Sequence, residues 1–148
     1  MSNNIENKII ARLPYLPSFL FVNEISLIND DEIIGHYTFG KDNFFYNAHF
    51  KHIPITPGIV LIEMMGQIGL VAHLVYLHKL YDNDILFHPI LSYVESSFYK
   101  KVEVNDKLTI KSKKIYYRNN ILKSKIELFD SSNDLCATLI AQLQLVFD

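Results

Sequence analysis

Two hydrophobic rhythms divide the chain. In its second half apolar residues recur at every other position, the period of a half-buried strand. The clearest case is "DLCATLIAQLQLVF" (134–147), where Leu135, Ala137, Leu139, Ala141, Leu143, Leu145 and Phe147 share one face. Runs at 88–98, 106–117 and 121–129 also read as strands, with Asn119-Asn120 and "DSSND" supplying turn chemistry between them. Nearer the start, 19–28 and 31–39 read as a hairpin, preceded by a short helix at 4–12 that the prolines of "LPYLPS" end. From Gly40 to Pro57 the signals are those of a loop, with aromatics at Phe44, Phe45 and Tyr46. Pro57-Gly58 then opens "IVLIEMMGQIGLVAHLVYLHKL", whose length and apolar character predict one long helix starting at a proline. The order of helix, hairpin, buried helix and four strands predicts an α+β domain: one antiparallel β-sheet wrapped around a long central helix.

From Ile53 to Leu77 only Glu63 is formally charged, so a membrane span has to be weighed. Glu63, Gln67 and His73 interrupt the run, and Gly66 and Gly69 each weaken a helix by about 1 kcal/mol relative to alanine. The four amphipathic strands that follow need such a helix as their core, so a buried central helix is the preferred reading and no membrane span is expected. Gly66, Gly69 and Ala72 form a strip of small residues, suited either to close packing on the sheet or to a groove for a ligand chain.

The length of 148 residues and a hydrophobic content of 49% suit one domain spanning 1–148. A formal net charge of −2 argues against a nucleic-acid binder. The charge is uneven, however: Lys100, Lys101, Lys107, Lys111, Lys113, Lys114, Arg118, Lys123 and Lys125 make the second half locally basic. Solvated strand faces or a dock for an acidic partner would both account for this. A single cysteine, Cys136, excludes an internal disulfide and reads as strand packing. The N-terminus lacks the basic-then-apolar pattern of a signal peptide, and a cytoplasmic location is expected.

The candidate chemistry lies in "NAHFKHIPITPGIVLIE" (47–63), where Glu63 falls within a segment that is otherwise apolar. A buried carboxylate is costly unless paired, hydrogen-bonded or protonated. His49 falls in the loop, Gly58 in the first helical turn, and Glu63 and Gln67 one turn apart on the same face. The unpaired N–H groups of a helix start can hold a carbonyl oxygen that gains negative charge. An imidazole and a carboxyl group at the same point supply a base and an acid. Those are the parts for removing a proton beside a thioester carbonyl and expelling a β-hydroxyl, although the spacing alone leaves a structural role open. His49, His52 and Glu63 lack a recognised metal-ligand spacing. The chain contains no Gly-rich phosphate loop and no Gly-x-Ser-x-Gly nucleophile motif.

"HFKHIPITPGIVLIEMMGQ" resembles the signature of the bacterial (3R)-3-hydroxyacyl-[acyl-carrier-protein] dehydratases of the hot-dog fold. Phe45, Tyr46, His49, Phe50, Pro54, Pro57, Gly58, Glu63 and Gln67 fall in register with it. Glutamate at 63 favours the dehydratases over the related dehydratase-isomerases, which carry aspartate. "LPYLPSFLFVNEI" and "FYKKVEVNDKL" resemble two flanking family motifs, so the likeness runs from about Leu13 to Leu108. Departures are Ala48 for glycine, Lys51, Lys101 and Val104 for prolines, Asn105 for glycine, and Tyr15 and Leu16 where His and Arg are usual.

The resemblance implies conversion of a 3-hydroxyacyl chain on the phosphopantetheine arm of acyl carrier protein to the trans-2-enoyl thioester. The pathway is either fatty-acid synthesis or a specialised polyene or polyketide type. In that scheme His49 takes the α-proton, Glu63 helps the β-hydroxyl leave as water, and the Gly58 N–H holds the thioester oxygen. Gln67 orients Glu63, and Phe50 supports the site. Lys100, Lys101 and Arg118 are the candidates for docking the acidic carrier. No cofactor or metal is expected; a homodimer is, with a trimer of dimers left open. A hot-dog thioesterase and a non-catalytic acyl-binding partner subunit are the alternatives.

Overall fold

A computed structural model describes residues 4–47 and 55–147. Helix α1 (Ile5–Arg12) starts at Asn4, whose side chain accepts a hydrogen bond from the Asn7 N–H at 2.8 Å. At its other end the Arg12 guanidinium donates to the carbonyls of Leu80 and Ile85 at 2.8 and 2.7 Å, tying α1 to the chain beyond the central helix.

Six strands follow the predicted order: β1 (Glu24–Ile28), β2 (Glu32–Thr38), β3 (Phe87–Phe98), β4 (Lys107–Arg118), β5 (Ile121–Phe129) and β6 (Leu135–Phe147). They form one antiparallel sheet in the order β1-β2-β4-β5-β6-β3. The first strand begins at Glu24 rather than at residue 19. Pro17–Phe19 forms a 3-10 turn instead, and the backbone of Phe19 and Phe21 bonds the Gln67 side chain rather than a neighbouring strand.

Asn119 and Asn120 turn the β4–β5 hairpin with φ of 54° and 62°, the left-handed region that asparagine tolerates better than most residues. Asn105 likewise has φ of 68°, which explains how it replaces the family glycine. Its N–H donates to the Phe39 carbonyl at 2.8 Å.

The sheet curls around a helix running from Gly58 to Leu77. By length and composition that helix could cross a membrane, yet its second half is sealed against the inward side chains of the strands, among them Leu108, Ile110, Leu122, Ile126 and Leu139. It comprises α2 (Gly58–Gly66), a π-helical stretch (Gln67–Ala72) and α3 (His73–Leu77). The hydrophobic periodicity carries no sign of the π stretch. There the Ser112 hydroxyl donates to the Gly69 carbonyl at 3.0 Å.

The strip of small residues divides in function. A Cβ on Gly69 would stand 2.5 Å from Ile126 Cδ1, so this glycine permits close helix–sheet packing. A Cβ on Gly66 would meet nothing within 4 Å, because Gly66 faces a cavity. Cys136 is fully buried and its thiol pKa is pushed up to about 11 by burial, in keeping with a packing role.

His73 is also fully buried. Its Nε2 donates to the Asn29 carbonyl at 2.8 Å, while Nδ1 has no partner among the described residues. Burial lowers its pKa; Lys114 acts in the same direction, against the Asn29 carbonyl, Asp30 and Asp31. An imidazole in the unfolded chain titrates near 6.5, so protonation favours unfolding. The contribution of His73 to stability is complete above that pH and is lost as pH falls through it toward the depressed folded value. Urea midpoints measured at pH 7.5 and 5.5 should fall further apart in the wild type than in His73→Gln; equal differences would refute this.

Candidate active site

Glu63 lies on the second turn of the central helix, half-buried, at the boundary of two cavities. The inner cavity, about 110 Å³, lies between the helix and strands β3 and β6. Ile62, Gly66, Leu70, Val71, Pro89, Leu91, Val94, Leu139, Ala141 and Leu143 make it apolar, and among the described residues its only two polar side chains are those of Glu63 and Tyr15. The outer cavity, about 380 Å³, is lined by Phe19, Phe44, Phe45, Pro57, Ile59, Val60 and Glu63. Behind it Phe19, Phe21, Phe39 and Phe45 pack at ring-centroid separations of 5.0 to 6.4 Å. The carboxyl group therefore stands in a largely apolar channel.

Gln67 sets its direction. The amide Nε2 donates to Glu63 Oε2 at 3.0 Å and to the Phe19 carbonyl at 2.9 Å, and Oε1 accepts from the Phe21 N–H at 2.7 Å. Three hydrogen bonds leave this buried amide little freedom, so the carboxyl group one turn earlier faces a fixed donor. The pairing of Glu63 with Gln67 expected from their spacing is present.

Gly58 starts α2 after Pro57, whose extended ψ of 140° forms the cap. It lines a different cavity, about 340 Å³, with Thr56, Leu61, Phe98, Tyr99, Lys100, Lys101 and Val102. A Cβ at Gly58 would stand 3.1 Å from the Phe98 ring, so only glycine fits without displacing that ring. Among the described residues, Gly58 and Glu63 thus share a helix but line different cavities. His49 and Phe50 lie outside the described residues.

The expected docking cations separate. Lys100 Nζ is 2.5 Å from the carboxylate of Asp130 and 2.8 Å from that of Asp134, and hydrogen bonds to both raise its pKa. It is a structural cation as well as a rim residue. Lys101 is more exposed, with Glu103 4.0 Å away. Arg118 stands over the Tyr116 ring at 5.9 Å, at the far end of the sheet. The Lys100 N–H bonds the Cys136 carbonyl, whereas Arg118 pairs with Ile121 and Ile121 with Gln144. Eight residues of β6 separate the two ends, about 26 Å, so Arg118 and the lysines do not form one patch within a chain.

Sequence reasoning noticed Tyr15 only as a departure from the family pattern. Its place in the cavity depends on how the 13–23 segment crosses the central helix, and periodicity does not encode that crossing.

An antiparallel sheet curled around one buried helix, with a helical carboxylate facing an apolar cavity, defines a hot-dog-fold protein. Residues 13–134 match the FabA-like domain, and the chain belongs to that family of hot-dog dehydratases. It is 30% identical to the 3-hydroxyacyl-[acyl-carrier-protein] dehydratase FabZ of Syntrophobacter fumaroxidans, over 82% of this chain and 81% of that one. It is 27% identical to FabZ of Acinetobacter baumannii, over 75% of each. In fold it is similar to the dehydratase heterocomplex ApeI:P from Xenorhabdus doucetiae, with a TM-score of 0.76, 16% identity and coverage of 91% of this chain and 90% of that one.

Proposed function

We propose that this dehydratase acts on (3R)-3-hydroxyacyl chains carried by acyl carrier protein, giving trans-2-enoyl thioesters for fatty-acid synthesis or a specialised polyene or polyketide pathway. The observation that carries the proposal is Glu63: a carboxyl group aimed by Gln67, at the mouth of an apolar cavity that can receive an acyl chain. His49 takes the α-proton, the Gly58 N–H holds the thioester oxygen at the positive end of the helix, and Glu63 supplies the proton with which the β-hydroxyl leaves. Phe50, next to the base, supports that segment. The rim of the Gly58 cavity carries Lys100 and Lys101, placing cations where the arm of an acidic carrier would enter. Arg118 serves the carrier only from another subunit.

The working unit is a homodimer. β3 is a twelve-residue edge strand that, among the described residues, pairs only with β6 and exposes Ile90, Leu91, Tyr93, Val94 and Phe98. A long apolar edge of this kind invites pairing with a second copy. Antiparallel pairing of β3 with its twin brings Phe98, which covers Gly58, opposite the Pro89–Leu91 stretch, which lines the cavity of Glu63. The dimer would then join the helix start of one chain to the carboxyl group of the other, uniting what a single chain keeps apart.

Incubation of the purified protein with 3-hydroxyacyl carrier protein of several chain lengths should yield enoyl product and no free thiol. Release of free thiol without enoyl product would point to a thioesterase and overturn the assignment.

A further inference from the structure

Tyr15 is the second polar group of the inner cavity. Among the twelve described residues that line it, ten offer only hydrocarbon side chains or a glycine, and the other two are Glu63 and Tyr15. Tyr15 is half-buried, its ring packs 6.3 Å from that of Phe19, and its hydroxyl has no hydrogen-bond partner among the described residues. A phenol placed beside a carboxyl group in an apolar cavity, with its hydrogen uncommitted, is a donor awaiting an acceptor. Gly66 leaves space along the same wall for a chain to lie between them.

We propose that Tyr15 is a further catalytic residue of the dehydration, donating a hydrogen bond to the β-oxygen of the substrate as that oxygen leaves. The inference rests on the dehydratase reading given above. In the elimination, the base removes the α-proton and the electrons of that C–H bond become the new C=C bond. The β-carbon–oxygen bond breaks, and the oxygen departs as water with the proton from Glu63. Tyr15 keeps its proton throughout and stabilises the negative charge that grows on the departing oxygen, the role of any preorganised donor in a dry site. Burial raises the phenol pKa, so the hydroxyl is a neutral donor across the whole working range.

The test is the steady-state kinetics of the full-length wild type, Tyr15→Phe and Tyr15→His on 3-hydroxybutyryl-N-acetylcysteamine, with unfolding midpoints measured alongside. Removing one such donor should lower kcat of Tyr15→Phe by about 10- to 100-fold with KM within about threefold, because the bond is strongest in the transition state. Hydration of the enoyl thioester should slow by the same factor. Tyr15→His, which restores a donor, should recover part of the loss. An unchanged kcat in Tyr15→Phe, or a loss confined to KM, overturns the proposal while leaving the dehydratase assignment intact. A wild type that forms no enoyl product overturns both.

Discussion

Replacing Glu63 with glutamine should lower kcat for dehydration by about 10²- to 10⁴-fold, the range that a positioned proton donor contributes. The unfolding midpoint should stay near the wild-type value. Glutamine keeps the shape of the side chain and an oxygen to accept from Gln67 Nε2, so the link to Phe19 and Phe21 survives. What is lost is the capacity, in the proposed mechanism, to give a proton to the leaving oxygen. KM should change little, since in the proposed mechanism the carboxyl group acts on charge that appears only in the transition state. A kcat within threefold of wild type would remove Glu63 from the mechanism.

Mixing two inactive variants should restore activity. If the base of one subunit faces the acid of the other, a mixed dimer of His49→Ala and Glu63→Gln chains holds one site with both groups lost and one with both intact. Random exchange makes about half the dimers mixed, so activity should recover to about a quarter of the wild-type level. Sites complete within one chain would give no recovery after exchange. The experiment also probes the β3 edge, because a charged substitution such as Val94→Asp should prevent exchange and leave both variants dead. Val94 is exposed on that strand and borders the cavity of Glu63, so this one position serves both the interface and the site.

The outline of the fold was legible because it depends on periods. The alternation through β6 and the unbroken apolar run after Pro57 specify which faces are buried, and burial decides that a sheet encloses a helix. The partnership of Glu63 and Gln67 was legible for the same reason, since four residues make one helical turn. Relations between distant segments were not. The delayed start of β1 depends on backbone groups of Phe19 and Phe21 finding an amide 46 to 48 residues away. The basic second half left solvated strand faces and an acidic partner's dock both open, and strand pairing scatters its cations. Lys100 is drawn to Asp130 and Asp134, Lys107 to Glu24 at 3.4 Å, and Arg118 to the opposite end. Charge counted along a chain says little about charge gathered in space.

Gly66 and Gly69 of the central helix give this enzyme unequal freedom to change. At Gly69 an added Cβ would stand 2.5 Å from Ile126 Cδ1 and 3.1 Å from Ser112 Cβ, so a side chain there requires the facing sheet residues to shift and costs packing. At Gly66 any added side chain projects into the space that would hold the substrate tail. If that cavity receives the acyl chain as proposed, drift at that single codon would shorten the accepted chain without unsettling the core. Substrate range and stability would then be written at neighbouring turns of one helix, and a lineage could explore the first while keeping the second.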